Sequence, residues 1–285
     1  MGGAEPARTY PGLESNAALV NPFEDVVERP QAQEYQEVRP RYPAEVYDVV
    51  LTRLQLRERD VGAPRDEPLI AVDIGAGTGQ FTQGLVERDV KTIALEPSGA
   101  MRNVLVEQPW AAALEVVAGT GEETGLPDSS VDLVTWAQCA HWLDVPVAAA
   151  GAARILRHRG MLAVIANQLD VSVPWVHRLS RIMRSGDVVR AERPPKLGGA
   201  FEEPMLTQVP WVQELDTEGV LALGRTRSSY LQASAARREK MQENLHWYLS
   251  EHMGFDSSQS VHLPYVTFVW VATLPVSPDN DIGQL

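Results

Sequence analysis

The sequence predicts an α/β protein built on a mainly parallel sheet with helices on both faces. Two observations carry that prediction. Short apolar runs alternate with helical stretches from about residue 69 to 166, and a glycine-rich turn directly follows the first apolar run. A chain of 285 residues is long enough for one such domain with an insertion. Ligands are expected at the carboxyl ends of the strands, where open α/β sheets bind them.

The glycine-rich turn follows the first predicted strand, residues 69–74. Its small residues are Gly75, Ala76, Gly77 and Gly79. They allow a sharp bend and the close approach of a ligand, because a glycine has no Cβ in the way. The helix predicted over residues 80–88 adds a positive dipole end and free N–H groups. A dinucleotide fold places its third glycine at position 80, where this chain has glutamine.

An acidic residue, Glu96, ends the second predicted strand, residues 90–95. It stands about 20 residues after the glycine turn, where such folds bind the two hydroxyls of a ribose. That spacing favours a ribose contact over an ordinary exposed carboxylate. Pro97 and Ser98 follow, and the serine is a suitable N-cap for a helix that carries Met101.

The remaining elements continue the alternation. Further strands are predicted at residues 114–118, 131–137, 161–166, 208–215 and 261–274. Further helices are predicted at residues 42–56, 144–157, 174–185 and 231–254. In the last helix, one stripe carries Met241, Leu245, Tyr248, Leu249 and His252, which indicates core packing.

The pattern divides the chain into three parts. Residues 1–34 are predicted to be an N-terminal arm that is partly flexible, because proline and glycine recur there with little periodicity. Residues 35–167 and 208–285 form the core. Residues 168–207 are predicted to be an inserted cap or lid over the acceptor site. The alternative for this insertion is a surface elaboration that serves stability or a homodimer.

Five segments resemble the class I S-adenosylmethionine (SAM)-dependent methyltransferases, in the order of that family. Asp73 and the glycines after it form D-x-G-x-G-x-G, which resembles motif I. Boxes of the type 11 branch, which includes trans-aconitate-methyltransferase-like enzymes, resemble residues 35–43, 119–132, 137–144 and 263–270. The resemblance implies a Rossmann-like, seven-stranded sheet whose last strand, 261–274, is antiparallel. It also implies SAM as the cofactor and S-adenosylhomocysteine as the product.

The resemblance also implies a set of cofactor contacts. They are Tyr35, Arg39, Asp73, Gly75, Ala76, Gly77, Gly79, Glu96, Pro97, Met101, Thr120, Gly121, Glu122 and Gln138. Asp73 is expected close to the methionine moiety, and residues 120–122 beside the adenine ring. Tyr35 belongs to the segment that covers the cofactor, and Arg39 suits a carboxylate of the cofactor or of the acceptor. Gly125 replaces a common proline, so the adenine loop is expected to be looser here.

His141 is the candidate catalytic residue. Methyl transfer from a sulfonium is an in-line displacement that depends on alignment and on the exclusion of water. A general base is needed only where the acceptor arrives protonated, and His141 lies just past the fourth predicted strand and titrates near neutrality. The equal alternative is a local hydrogen bond that holds Trp142 and the start of the next helix.

The acceptor is predicted to be a small molecule. O-methylation is favoured, with C- and N-methylation as the alternatives. Candidate acceptor contacts are Tyr42, Trp142, Trp175 and Arg178. Residues 174–200 carry six Arg or Lys against two acids, which would suit a carboxylate-bearing acceptor. A solvated basic helix face accounts for the same charges, and an apolar natural-product intermediate is the competing acceptor.

Composition narrows the possible partners and location. A formal net charge of −13 argues against a nucleic-acid partner, which needs a basic face. The single cysteine, Cys139, fits a reducing compartment. No apolar run approaches the length of a membrane span, and no signal-peptide core is present, so a cytoplasmic location is predicted. Metal-ligand spacing is absent, so no metal is expected.

Two other functions stay open at this point. A non-catalytic SAM-binding protein would have the same cofactor motifs. An NAD(P)-dependent oxidoreductase is disfavoured by the glutamine at position 80.

Overall fold

The computed structural model describes residues 28–59, 68–186, 189–256 and 259–275, so most of the predicted N-terminal arm lies outside the described residues. The helices are α1 (Arg29–Val38), α2 (Ala44–Arg59), α3 (Thr82–Val86), α4 (Gly99–Val106), α5 (Val145–Ile155), α6 (Pro174–Met183), α7 (Thr217–Arg225), α8 (Ser228–Leu231) and α9 (Ala235–His246). The strands are β1 (Ile70–Ile74), β2 (Lys91–Leu95), β3 (Glu115–Val117), β4 (Val131–Ala137), β5 (Leu156–Leu169), β6 (Met205–Leu215) and β7 (Val261–Thr273). Short turns of 3₁₀ helix occur at Pro109–Ala113, Ala140–Trp142 and Gly198–Ala200, and a π-helical turn occurs at Trp247–His252.

The strands form one sheet in the order β3-β2-β1-β4-β5-β7-β6. Strands β1 to β5 pair in parallel, and β7 runs antiparallel to both β5 and β6. The predicted seven-stranded, mainly parallel sheet with an antiparallel last strand is confirmed. The register pairs Ile74 with Leu95 and with Trp136, so β1, β2 and β4 end at one edge of the sheet. The glycine turn and Glu96 lie at that edge.

Helices cover both faces of the sheet, because alternate residues of each strand point to opposite sides. On one face, Val50 of α2 lies in the same buried cluster as Ala71 of β1. On the other face, Ala152 of α5 lies in the same cluster as Val72. The prediction of helices on both faces is confirmed.

A third buried cluster joins α6, α7 and α9 to the ends of β5 and β7. Its members include four residues of the predicted core stripe, Met241, Leu245, Tyr248 and Leu249, whereas the fifth, His252, is exposed. The amphipathic helix α6 buries Val176 and Leu179 in the same cluster. These helices form an apolar layer beyond the carboxyl ends of the parallel strands.

The described residues of the inserted segment 168–207 pack into the molecule. Besides α6, Leu197 and Phe201 are buried in the cluster that holds α5. The side-chain amide of Gln168 donates to Val189 O and accepts from Val189 N, each at 3.0 Å. The division into core and lid stays a prediction. If these residues act as a lid, the packed arrangement described here is the one from which they would move.

Several predicted element bounds were wrong. The helix after the glycine turn is the short α3 rather than residues 80–88. Asp89, three residues after the end of α3, has a left-handed backbone (φ 58°). Strand β5 begins at Leu156 instead of residue 161, because Leu156 already pairs with Val131 of β4. The predicted helix 231–254 is divided, since α9 begins only after Ser234. Helix α1, which was not predicted, crosses the expected boundary at residue 34.

Candidate active site

The glycine turn begins where β1 ends and lies against the end of β2. The backbone N–H groups of Gly75 and Ala76 both donate to Leu95 O, at 2.8 and 3.1 Å. Gly75 (φ 67°) and Gly77 (φ 59°) take the left-handed conformation that favours glycine. A Cβ on Gly75 would lie 2.6 Å from the Cβ of Cys139, whereas one on Gly77 would meet no atom within 4 Å. Gly77 therefore faces open space.

Glu96 is held at the end of β2 by two backbone N–H groups. Its Oε2 accepts from Gly77 N at 2.9 Å, and its Oε1 accepts from Ser98 N at 2.8 Å. Burial raises the pKa of Glu96, while these hydrogen bonds lower it. Ser98 is the N-cap of α4, as predicted, and its Oγ accepts from Met101 N. The carboxylate is thus fixed directly beside the glycine turn.

Asp73 is buried near the end of β1. Its Oδ2 accepts from Thr82 Oγ1 at 2.6 Å, and its Oδ1 accepts from Thr135 Oγ1 at 2.7 Å. Burial raises the pKa of Asp73 from 3.8 to about 6, although both hydroxyl groups lower it. The carboxylate is therefore ionised at neutral pH and loses its charge in mildly acidic solution. The two threonines were not predicted, because only the fold brings them to Asp73.

Helix α1 covers the glycine turn and is fastened to α7. Arg39 donates from Nε to Thr226 Oγ1 at 3.0 Å and from Nη2 to Thr226 O at 2.6 Å. Arg225 donates to Glu34 Oε1 at 2.8 Å. The Arg39 guanidinium also lies 4.7 Å from the ring centre of Tyr35, a cation–π contact. These contacts fix the middle and the C-terminal end of the covering helix.

A cleft that is open at its mouth lies between α1 and the glycine turn. It is lined by Tyr35, Arg39, Pro40, Tyr42, Asp73, Gly75, Ala76, Gly77, Gln80, Phe81, Ala137 and Gln138. Most of these were predicted site residues, and the structure brings them together. The lining residues that were not predicted are Pro40, Gln80, Phe81 and Ala137.

Gln80 and Phe81 connect the turn to its surroundings. The Gln80 amide donates to Gln36 O at 2.8 Å, so the glutamine that replaces a dinucleotide-fold glycine ties the turn to α1. The Phe81 ring meets Tyr42 edge-on at 5.0 Å and stacks on Tyr47 at 4.7 Å. Together these contacts give the cleft an aromatic wall.

The predicted adenine contacts lie outside the lining of this cleft. Thr120 Oγ1 accepts from Glu123 N at 3.3 Å, and Glu122 Oε1 accepts from Asp144 N at 2.7 Å. A Cβ on Gly121 would lie 3.0 Å from a Leu143 methyl group, so this loop packs closely on its neighbours. Of the other predicted cofactor contacts, the cleft lining also leaves out Gly79, Glu96, Pro97 and Met101.

His141 lies in the 3₁₀ turn just after β4, beside Trp142 at 4.5 Å between ring centres. The pKa of His141 is lowered to about 4, mainly by burial and to a smaller extent by the positive charge of Arg39. The imidazole is therefore neutral at pH 7. Gln138 lines the cleft with a left-handed backbone (φ 61°), and its amide donates to Asn167 O at 2.6 Å.

Trp175 and Arg178 lie on α6 and are not among the residues that line the cleft. Trp175 faces Phe255 at 6.1 Å, and its carbonyl oxygen accepts from the Tyr248 hydroxyl at 3.0 Å. The Arg178 guanidinium lies over the Tyr248 ring at 5.4 Å. The structure thus places both in the helical layer.

Comparison with known proteins identifies the family. Residues 72–164 match a family model described as a methyltransferase domain. Uncharacterised methyltransferases of Mycobacterium bovis and Mycobacterium tuberculosis are each 35% identical to this chain over 243 residues, which cover 84% of the chain and 92% of those proteins. The chain belongs to the SAM-dependent methyltransferases. The finer assignment to a trans-aconitate-like branch stays a prediction.

Solved structures support the fold of this methyltransferase. A protein assigned as a type II methyltransferase from Anaeromyxobacter dehalogenans aligns with a TM-score of 0.56 at 20% identity, covering 84% of this chain and 99% of that one. The YcgJ protein of Bacillus subtilis aligns with a TM-score of 0.50 at 17% identity, covering 80% and 100%.

The residues at the cleft of the methyltransferase suit SAM in charge. Gly77 leaves open space beside Glu96, where a ribose would need room. Asp73 and Arg39 supply one negative and one positive charge for a ligand that carries both signs. When bound, SAM supplies an electrophilic methyl group on a positively charged sulfur. Among the described residues no group of acidic, histidine or cysteine side chains is arranged to hold a metal ion.

Proposed function

We propose that this methyltransferase transfers the methyl group of SAM to an oxygen atom of a small molecule. The observation that supports this most is the covered cleft: α1, fastened by Arg39 and Arg225, lies over the glycine turn. Small-molecule sites are typically concave, with a few polar groups that fix the orientation of the ligand. A narrow cleft beneath a fixed helix suits a small acceptor better than a macromolecular one.

In this proposal the cofactor contacts divide by chemistry. Glu96 binds the ribose hydroxyls, because it is a fixed carboxylate beside the open space at Gly77. Asp73 lies near the positive groups of the methionine moiety, and Arg39 pairs with its carboxylate. Residues 120–122 flank the adenine ring.

His141 lies outside the residues that line the cleft, and its pKa is low. A base with a pKa of about 4 removes a proton poorly from a phenol, whose pKa is near 10. We therefore propose that the acceptor oxygen arrives ionised, as a carboxylate does, and that His141 holds the local structure instead of acting as a base.

The site then works by alignment. An ionised oxygen needs only to be held in line with the sulfonium carbon while water is excluded. Tyr42 is partly buried against the cluster that holds α2, and burial raises the pKa of its hydroxyl, so the aromatic wall stays uncharged. An uncharged wall can hold the acceptor in position without attracting or repelling its negative charge.

The test uses SAM with a labelled methyl group and acceptor pairs that differ in ionisation, such as benzoate against benzyl alcohol and phenol. We expect label in base-labile methyl esters, at rates that stay flat between pH 7 and pH 9. Glu96→Gln, which weakens ribose binding, is the negative control. Transfer to phenol alone, or a rate that rises about tenfold per pH unit as the acceptor ionises, would contradict the proposal.

The net charge and the hydropathy of the helices bear on two other possible partners, nucleic acid and a membrane. The net charge of −13 supports the prediction that nucleic acid is not the acceptor. None of the helices in the described part of the chain is long and apolar enough to cross a membrane. A homodimer and a cytoplasmic location stay predictions.

A further inference from the structure

Gln138 follows β4 directly and lines the cleft with an unusual backbone conformation. Its φ is 61°, in the left-handed region that residues other than glycine seldom adopt. The backbone N–H of Gln138 donates to Ile165 O of β5 at 2.9 Å, which holds this conformation in place. Residues kept in such conformations cluster at functional sites, so the chemistry of the Gln138 side chain bears on the function of the cleft.

The side-chain amide of Gln138 has one bound end and one free end. Its Nε2 donates to Asn167 O at 2.6 Å. Because a carbonyl oxygen can only accept, this hydrogen bond fixes which end of the amide is nitrogen and which is oxygen. Within the described part of the chain Oε1 accepts no hydrogen bond, and it is not one of the unpartnered atoms that are buried from solvent. Oε1 is therefore an accessible hydrogen-bond acceptor at the wall of the cleft.

The amide is held by a buried polar network centred on Asn167, which is only 4% exposed. The side chain of Asn167 donates from Nδ2 to Arg41 O at 3.4 Å, and its Oδ1 accepts from Thr267 Oγ1. The Thr267 hydroxyl in turn accepts from Trp211 Nε1 at 2.9 Å. Satisfied buried networks of this kind rigidify a site, so Oε1 of Gln138 has a set position before a ligand binds.

The strand order places Gln138 on the side of the cleft away from the ribose site. Strands β2, β1, β4 and β5 are neighbours in that order; Glu96 ends β2, Asp73 lies in β1, and Gln138 follows β4 and bonds to β5. In the proposed function Glu96 binds the ribose hydroxyls and Asp73 lies near the positive groups of the methionine moiety. The donors of the cofactor thus have partners on β2 and β1. Oε1 of Gln138, one strand further along the sheet, is left for the methyl acceptor.

We infer that Gln138 positions the methyl acceptor by accepting a hydrogen bond from a hydroxyl or N–H group that lies close to the acceptor's carboxylate. The inference rests on the proposed function, which supplies the carboxylate, and it deepens the choice of acceptor for the same site. A site with a fixed hydrogen-bonding group rejects analogues that leave the group unpaired. The acceptor class is then a carboxylate that carries a neighbouring donor, such as a hydroxy acid, rather than a simple carboxylate.

The test measures binding without turnover, on the full chain saturated with S-adenosylhomocysteine. Three acids are titrated by calorimetry: mandelate has a hydroxyl beside its carboxylate, its methyl ether keeps the oxygen without the donor, and phenylacetate has neither. The enantiomers of the two chiral acids are titrated separately. Gln138→Met removes the amide and keeps the length of the side chain, and Gln232→Met, at an exposed glutamine, is the matched control.

We expect one enantiomer of mandelate to bind the wild type about three- to tenfold more tightly than both other acids, the effect of one hydrogen bond. Because phenylacetate is the smallest of the three acids, a preference over both others excludes a steric origin. Gln232→Met should keep the preference, and Gln138→Met should bind all three acids about equally. Equal affinities in the wild type, binding of none of the three acids, or a preference that survives in Gln138→Met would overturn the inference.

Two further arms separate this inference from the proposed function. A loss of S-adenosylhomocysteine affinity of about threefold or more in Gln138→Met would assign Oε1 to the cofactor's amino group and overturn the acceptor assignment. Absence of methyl transfer to these acids, with the mandelate preference intact, would contradict the proposed function and leave the hydrogen bond to Gln138 supported. If Gln138→Met does not fold, Gln138→Gly replaces it with the same loss of preference expected, because glycine favours the left-handed backbone.

Discussion

The charge of Asp73 predicts how SAM binding depends on pH. Its pKa is raised to about 6, so the folded protein loses this charge as the pH falls through that value. If SAM binds only the ionised form, the dissociation constant at pH 5.5 should be about four times that at pH 7.5, because about a quarter of Asp73 is then ionised. At pH 5.0 the factor rises to about tenfold. Affinity should therefore fall on the acidic side and stay flat above pH 7.

The assay is calorimetric titration of SAM at constant ionic strength across this pH range. Asp73→Asn is the decisive variant, because it removes the titrating group while keeping a polar side chain for Thr82 and Thr135. It should bind SAM more weakly at pH 7.5 and lose most of the pH dependence. Glu96 also has a raised pKa, so Glu96→Gln is measured beside it. A wild-type affinity that is flat from pH 5.0 to 7.5, or an equal slope in Asp73→Asn, would refute the reasoning.

Other changes have expected outcomes. Glu96→Gln should weaken SAM binding at least about tenfold, because a charge-assisted contact becomes neutral, and unchanged affinity by calorimetry would refute the ribose assignment. Gly79→Ala should destabilise the fold by about 2–4 kcal/mol in urea unfolding, since its Cβ would lie 2.5 Å from Trp110 at φ 90°; a free energy equal to the wild type would contradict this. His141→Ala should spare SAM affinity and reduce the rate for a carboxylate acceptor less than about tenfold, whereas a larger loss would restore His141 as a base.

The alternation of strands and helices and the glycine turn could be predicted because their signals are local. A buried strand followed directly by Gly-x-Gly predicts a sharp turn, because glycine can adopt a left-handed backbone. Ser98 predicts the start of α4, because a serine side chain can accept a hydrogen bond from the first turn of a helix. Helix α1 could not be predicted in this way. Its residues are mostly polar, only Ala32 and Val38 are buried, and tertiary contacts rather than an apolar stripe hold it in place.

The site residues that belong to the glycine turn and the other sequence motifs were predicted. The residues that reach the site from distant parts of the chain were missed. Arg39 was recognised from its box, yet its partner Thr226 is 187 residues away and carries no sequence signal. The same holds for Thr135, which reaches Asp73 from the neighbouring strand. Trp175 and Arg178 were chosen for aromatic and basic character alone, and the structure places them in the helical layer, where they pack with Tyr248.

The central claim is that the cleft between α1 and the glycine turn binds SAM. The most direct test is calorimetric titration of the purified protein with SAM, S-adenosylhomocysteine and NAD in parallel, with Asp73→Ala as the site control. The account predicts micromolar binding of both sulfur ligands, no binding of NAD, and severe loss in the variant. Binding of NAD, or SAM affinity that Asp73→Ala leaves unchanged, would contradict it.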